Sequence, residues 1–151
     1  MRMCKRSSFV THVPVMTGGY GSDDVRQFYT SYFIGHWPAD TQLKPISRTI
    51  RQARVIDEFV LSFTHDTEMP TMLPGVPPTG RKVQLPHVVV MGIENGKVTY
   101  EHIYWDQGSL LAQVGLLDPA KFRVTGAEQA RKLLDPKLPS NELIHRAELK
   151  R

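Results

Sequence analysis

The chain of 151 residues has almost no cysteine and no long apolar run. Cys4 is its single cysteine, so the chain has no internal disulfide and no thiolate metal site. Its longest apolar stretch, Val88 to Ile93, has the length of a strand and is too short to span a bilayer. The basic start, Met1 to Arg6, is not followed by the apolar core of a signal peptide. We therefore expect a cytoplasmic protein that does not enter a membrane.

The excess of positive over negative charge is also small. Lys and Arg total 19 and Asp and Glu total 15, which leaves a net charge of +4 scattered along the chain. This excess is too small to indicate a nucleic-acid-binding surface. The 40% apolar and 23% charged residues are typical of a globular protein. A chain of this length forms one domain that buries about two-thirds of its unfolded surface, so we expect a single domain over residues 1–151.

Several catalytic motifs are missing as well. No Gly-x-Ser-x-Gly elbow provides a serine nucleophile. No Gly-x-Gly-x-x-Gly follows a strand, so the sequence predicts no nicotinamide cofactor, and Thr17 to Gly21 is interpreted as a loop. Compact metal-binding motifs such as His-x-Glu are absent, and neither a metal nor another cofactor is predicted.

The first element that the pattern predicts is a helix from Ser22 to Phe33. Ser22 is suited to cap it, and Asp23 and Asp24 suit the positive end of the helix dipole. Apolar and aromatic residues then recur at helical spacing, at Val25, Phe28, Tyr29, Tyr32 and Phe33.

A strand is predicted from Arg54 to Thr64, where β-branched and aromatic residues dominate. One of its faces carries Val55, Asp57, Phe59, Leu61 and Phe63. This face is the more apolar, so we expect it to point inward. Asp57, and His65 after the strand, are then expected inside a cavity or at its rim.

The strongest local signal is a hairpin. Two strand-like segments, Lys82 to Ile93 and Lys97 to Asp106, flank Asn95-Gly96, a dipeptide that favours a two-residue turn. Such a turn sets the register of the whole hairpin. One face is then predicted to carry Leu85, His87, Val89, Met91, Ile93, Val98, Tyr100, His102, Tyr104 and Asp106.

The C-terminal part is predicted to be helical. Leu110, Leu111, Val114 and Leu117 are spaced as on a short amphipathic helix. Thr125-Gly126-Ala127-Glu128 matches a capping box at the start of a second helix. The basic end from His145 is expected to be an exposed tail.

The predicted register brings together a set of chemically active side chains. They are His87, His102, Tyr104 and Asp106 on one face, with His65 and Asp57 nearby. Burial raises the pKa of a carboxyl and lowers that of a histidine, so such a cluster suits acid/base chemistry near neutral pH. Tyr104 is suited to hydrogen-bond a developing enolate. Two alternatives stay open: a satisfied structural polar pair, and a metal site built from His87, His102 and a carboxylate.

The opposite face of the hairpin is apolar too. It is predicted to carry Val88, Val90, Ile103 and Trp105 together with Glu101. An apolar outer face needs a cover. We expect a second subunit to supply it, in a homodimer formed through the sheet.

Several stretches together resemble a known family. In order they are Phe63-Thr64-His65-Asp66, Pro77-Pro78-Thr79-Gly80-Arg81, Glu94-Asn95-Gly96-Lys97-Val98, Glu101-His102-Ile103-Tyr104-Trp105-Asp106 and Gln113-Val114-Gly115. Their order and spacing resemble the SnoaL-like polyketide cyclase branch of the nuclear transport factor 2-like superfamily, over roughly residues 13–118. Residues 119–151 extend past the usual end. The first helix of the family is expected to be shortened or missing at the start of this sequence.

The resemblance implies an α+β fold shaped like a cone, in which a curved, mostly antiparallel sheet and helices enclose an apolar pocket. It also implies an acid/base role for Asp106 and an active-site role for His65. Together with His102, these two residues form the predicted catalytic set. The predicted ligand contacts are Tyr29, Asp57, Phe63, His87, Met91 and Tyr104. Family members differ in their reactions, so cyclisation, isomerisation and hydration or hydrolysis of a hydrophobic small molecule stay open. A ligand carrier and a purely structural dimerisation domain also stay open.

Overall fold

One curved sheet of six strands forms the centre of the molecule in this computed structural model, which describes residues 8–150. The strands are β1 (Phe9–His12), β2 (Thr17–Tyr20), β3 (Gln42–Arg51), β4 (Arg54–Thr64), β5 (Lys82–Glu94) and β6 (Lys97–Tyr104). They lie in the order β2-β1-β6-β5-β4-β3, and only β1 and β6 pair in parallel. The predicted α+β class is confirmed. Cys4 lies outside the described residues.

Five short helices accompany the sheet within residues 8–150. They are α1 (Gly21–Phe28), α2 (Gln107–Gln113), α3 (Pro119–Phe122), α4 (Glu128–Leu134) and α5 (Glu142–Glu148). A π-helical turn, Tyr29–Phe33, continues α1 and confirms the predicted helical span. The start of α1 differs from the prediction. The helix begins at Gly21 and has no side-chain cap, so Ser22 does not cap it. No helix in residues 8–150 is long and apolar enough to cross a membrane.

The segment Thr17 to Gly21 is not the predicted loop, since its first four residues form β2. The strand pairs with β1, and Gly18 lies opposite Thr11. A Cβ atom at Gly18 would collide with the backbone carbonyl of Val10. Glycine is therefore required here for close strand approach, a use that composition alone does not distinguish from a turn.

The predicted strand Arg54–Thr64 is confirmed as β4. Its neighbour β3 was not predicted. All ten residues of β3 are exposed, so it lacks the alternation between apolar and polar residues that identifies a half-buried strand. Pro45 is tolerated because β3 is an edge strand and has a bulge between Pro45 and Ser47.

The β5–β6 hairpin is confirmed, but its register changes one step after the turn. Ile93 faces Val98 as predicted, whereas Gly92 faces Tyr100, so Thr99 is an extra residue in β6. This bulge reverses the faces of β6 beyond it. Glu101 and Ile103 therefore share the inner face with Met91 and Val89, their partners on β5.

The prediction that the end of β6 shares the inner face with His87 is therefore wrong. His102 and Tyr104 pair with Val90 and Val88 and lie on the outer face. The strand also ends at Tyr104 instead of Asp106, which is the N-cap residue of α2.

The predicted capping box in the C-terminal region is also wrong. α4 begins at Glu128 with no side-chain cap, so Thr125 forms no capping box. α4 contacts β5 and buries Ala130, and tertiary packing therefore holds its first turn. The end from His145 is largely exposed, as predicted, but its first residues belong to helix α5.

Candidate functional site

A cavity of about 1250 Å³ lies between the inner face of the sheet and the segment from α1 to β3. Its walls are mostly apolar and include Val25, Tyr29, Phe33, Trp37, Leu43, Phe59, Leu61, Met72, Val89, Met91 and Ile103. The volume slightly exceeds that of typical small-molecule sites, and the lining has their usual mixture of many apolar and few polar groups. Leu43 and Ile34, at its edge, are more than half exposed, so the cavity opens to solvent there.

A carboxyl and a phenol form the central polar pair of the cavity. The Tyr29 hydroxyl donates a hydrogen bond of 2.8 Å to Oε2 of Glu101. Glu101 is only 8% exposed, and burial raises its pKa, although the hydrogen bond from Tyr29 acts in the opposite direction. Burial also raises the pKa of Tyr29, and the Glu101 charge raises it further. The cavity thus holds a carboxylate that is more basic than usual beside a phenol that stays protonated.

Glu101 was not predicted as a site residue, because the register without a bulge placed it on the outer face. A signal was present in the sequence, since a glycine inside a strand often indicates a bulge. A Cβ atom at Gly92 would overlap the ring of Tyr100 and the hydroxyl of Thr99. Gly92 thus accommodates the bulge that turns Glu101 inward.

Two buried histidines, His12 and His87, also line the cavity. Nδ1 of His12 donates to the carbonyl of Thr17 at 3.3 Å, and Nδ1 of His87 donates to the carbonyl of Leu85 at 3.1 Å. Burial lowers both pKa values to about 4, so both rings are neutral at pH 7. Trp105 lies between them, with its ring centroid 5.8 Å from His12 and 5.4 Å from His87.

An ion pair lies at the rim of the cavity. Arg48 of β3 donates from Nε and a terminal nitrogen to the two oxygens of Asp57, at 2.6 and 2.8 Å. Asp57 lines the cavity, which confirms its predicted position, and the ion pair shows that its carboxylate is already occupied. Arg48 is largely exposed, so the pair is screened by solvent and contributes little stability.

The predicted ligand contacts divide into two groups. Tyr29, Asp57, His87 and Met91 line the cavity, whereas Phe63 is buried in the hydrophobic core and does not line it. His102 and Tyr104 lie on the outer face, where His102 packs on Phe9 and Tyr100. Because His87 and His102 lie on opposite faces of the sheet, they cannot bind the same metal ion.

His65 is fully buried but lies outside the cavity lining. Its Nδ1 accepts a hydrogen bond from the backbone N–H of Thr79 at 3.3 Å, and its carbonyl accepts from the N–H groups of Thr79 and Gly80. The backbone N–H of His65 donates to Arg81. His65 therefore anchors the end of the proline-rich loop to the end of β4.

Asp106 also lies outside the cavity lining. Its Oδ1 accepts the backbone N–H of Ser109 at 3.1 Å, and its Oδ2 accepts Nε2 of Gln129 at 2.6 Å. The carboxylate therefore caps α2 and connects it to α4. The shortened β6 explains this position, since Asp106 follows the end of the strand.

Several solved structures have a similar fold. A SnoaL-like polyketide cyclase from Jannaschia sp. CCS1 matches with a TM-score of 0.59 and 16% identity, over 76% of this chain and 74% of that chain. IdmH from Streptomyces antibioticus, described as a polyketide cyclase, matches with a TM-score of 0.55 and 17% identity, over 75% and 82%. A protein with a ketosteroid isomerase-like fold from Catenulispora acidiphila, in complex with trimethylamine, matches with a TM-score of 0.54 and 14% identity, over 74% and 75%.

No family model matches the sequence, and no curated protein matches it significantly. The similarity is thus carried by structure at low sequence identity, and it concerns the arrangement of sheet, helices and cavity. This chain has the fold of the SnoaL-like and nuclear transport factor 2-like proteins.

Proposed function

We propose that this protein binds a hydrophobic small molecule in the cavity and uses Glu101 as an acid/base group on it. The observation that carries the proposal is the Tyr29–Glu101 pair, a buried carboxyl and phenol in a largely apolar cavity. A carboxylate with a raised pKa is a better proton acceptor at neutral pH. The SnoaL-like cyclases and the trimethylamine complex among the similar structures support a small-molecule role for the fold.

The proposed chemistry is enolisation of a carbonyl compound. Glu101 takes the proton from the carbon beside the carbonyl, and the two electrons of that C–H bond move into the enolate. The Tyr29 hydroxyl, released from Glu101 when the substrate enters, donates a hydrogen bond to the enolate oxygen. Return of the proton to a different carbon gives isomerisation, and attack by the enolate carbon on a second carbonyl gives cyclisation. These two groups supply the chemistry without a cofactor.

Glu101→Gln tests the proposal. The readout is exchange of the α-protons of a panel of aromatic polyketides, lactones and terpenoid ketones with deuterium from solvent, followed by NMR. We expect wild type to catalyse exchange of at least one compound and Glu101→Gln to lose about 100-fold or more of that rate. Ligand-induced increases in Tm persist in the variant, because amide and carboxyl are similar in shape.

Glu58→Gln is the matched control, since Glu58 lies on the outer face of β4 and contacts Ser47. It should exchange the substrate at the wild-type rate. A Glu101→Gln variant that keeps the full exchange rate would contradict the proposal. Ligand binding without exchange in any variant would favour the second candidate function, a carrier that uses the same cavity.

We also propose that the protein forms a homodimer through the outer face of the sheet. An aromatic row, Tyr20-Phe9-Tyr100-His102, stacks across β2, β1 and β6. Exposed apolar side chains extend this row, namely Ile56, Val88 and Tyr104. Contiguous exposed apolar surface of this kind supports an interface.

A further inference from the structure

His12 and His87 both present an unoccupied ring nitrogen to the cavity. Within residues 8–150, Nε2 of neither histidine makes a hydrogen bond, and only Nδ1 is used. The fully buried side-chain atoms that lack a partner in this part of the chain are Ser8 Oγ, Trp37 Nε1, His65 Nε2 and Thr71 Oγ1. Nε2 of His12 and Nε2 of His87 also lack a partner, but they are not among these fully buried atoms. Both residues line the cavity. Both Nε2 atoms are therefore reachable from the cavity.

The tautomer of each ring follows from its partner. A backbone carbonyl only accepts, so Nδ1 of each ring must carry the hydrogen that is donated to Thr17 or Leu85. Since burial keeps both rings neutral at pH 7, each Nε2 carries a lone pair and no hydrogen. The two atoms are hydrogen-bond acceptors without a donor among the described residues. A ligand that fills this part of the cavity must provide the donor or leave them unpaired, which is costly.

The sheet register sets the distance between these acceptors and Glu101. His12 on β1 faces Ile103, which is two residues beyond Glu101 on β6. His87 stacks on Trp105, which is four residues beyond Glu101. With a rise of about 3.3 Å per residue, the histidines lie roughly 7 and 13 Å along the sheet from Glu101.

We propose that His12 and His87 are hydrogen-bond acceptors for the ligand, each for a donor of its own, and that His87 binds a ligand hydroxyl at the end of the cavity farther from Glu101. This inference rests on the proposed function of the cavity and narrows its substrate class. The ligand is an uncharged, largely apolar carbonyl compound with a hydroxyl donor. The distance of roughly 13 Å between Glu101 and His87 includes a contact of about 3 Å at each end, so the hydroxyl lies roughly 7 Å from the reacting carbon, about the length of two fused rings. A ketone, ether or carboxylate at that end would face the lone pair of His87 Nε2 and would bind less tightly.

A matched pair of probes tests the inference. One is a hydroxytetralone with its phenol at the end of the ring system opposite to the ketone, and the other is its methyl ether, which has no donor. Dissociation constants are measured by calorimetry on wild type and on His87→Phe, His87→Gln and His102→Phe. Wild type is expected to bind the phenol about tenfold more tightly than the ether. His87→Phe should reduce this preference to about twofold or less, while His102→Phe, on the outer face, keeps it.

His87→Gln provides a conservative rescue, because its amide oxygen restores an acceptor and should recover part of the preference. Near-ultraviolet circular dichroism establishes that each variant is folded. Equal binding of phenol and ether by wild type would overturn the proposed acceptor role and leave the proposed cavity function intact. Binding of neither probe to folded wild type would overturn both.

Discussion

Burial shifts the pKa of four polar side chains of the cavity, namely Glu101, Tyr29, His12 and His87. Burial moves the pKa of the carboxyl and the phenol upward and that of the histidines downward. All four shifts favour the neutral form, as a low-dielectric site requires. The cavity therefore favours an uncharged ligand.

The histidine shifts make the fold sensitive to acid. The unfolded chain binds a proton at each histidine below its ordinary pKa of 6.5, whereas the folded protein does so only near pH 4. The unfolded state therefore holds more protons in this window, and stability falls as the pH falls from 6.5 to about 4. A shift of this size corresponds to about 3 kcal/mol for each histidine.

His87→Phe is expected to remove one of these contributions. Its free energy of unfolding, measured with urea across this pH range, should fall less steeply than that of wild type. Glu101, whose pKa is raised, acts in the opposite direction, but it is present in both proteins and cancels in the comparison. His102→Phe is the control on the outer face. Parallel pH profiles for wild type and His87→Phe would contradict the assigned burial of this ring.

Among the elements, α2 is linked to the backbone of β5 by the side chain of Gln113. Opposite Gln84, β6 has already ended, because its last described pair joins Tyr104 to Val88. Gln113 replaces the missing strand: its Oε1 accepts the backbone N–H of Gln84 at 2.8 Å, and its Nε2 donates to the carbonyl of Gln84 at 3.0 Å. This pairing gives a physical reason for the glutamine in the Gln-x-Gly segment.

Gln113→Ala should therefore destabilise the protein by about 1–3 kcal/mol, because both backbone groups of Gln84 lose their partner. Equilibrium unfolding in urea measures the change. Gln27→Ala, at an exposed position of α1, is the matched control and should alter stability by no more than about 0.5 kcal/mol. A Gln113→Ala variant as stable as the control would show that water replaces the lost hydrogen bonds.

The N-terminus of α2 allows the role of Asp106 to be tested. The acid/base role that the resemblance implies for Asp106 stays a prediction, and its position supports a structural role as the cap of α2. Asparagine caps a helix about as well as aspartate, so Asp106→Asn should keep stability, whereas Asp106→Ala should lose about 1 kcal/mol. Thermal unfolding measures both variants. The deuterium-exchange rate should remain at the wild-type level in each, and its loss in Asp106→Asn would restore Asp106 as the acid/base group.

For the whole molecule, the outer face of the sheet leads to a prediction about assembly. Tyr104 is 43% exposed on the apolar surface, at the end of β6, and Tyr32 is 48% exposed on the π-helical turn. Light scattering after gel filtration should give the mass of a dimer for wild type and Tyr32→Arg. Tyr104→Arg should give a monomer, because an arginine buried without a partner opposes association. A wild type that is monomeric at high concentration would contradict the dimer.

Much of the fold follows from local patterns. The helical span from Ser22 to Phe33, the strand Arg54–Thr64 and the hairpin around Asn95-Gly96 were all predicted, because periodicity and turn chemistry act between near neighbours. The strands β1 and β3 were not predicted. β1 is four residues long and pairs with the distant β6, and β3 is exposed throughout, so neither has a strong local pattern.

The sequence by itself determined the class of fold, the inward face of β4 and the presence of Tyr29, Asp57, His87 and Met91 at the cavity. Only the tertiary structure decided which acid enters that cavity. One extra residue beside Gly92 turns Glu101 inward and moves His102 and Tyr104 outward, and the early end of β6 leaves Asp106 as a helix cap. The physical reason is that side chains alternate between faces along a strand, so a single bulge, set by packing between strands, reverses every position beyond it.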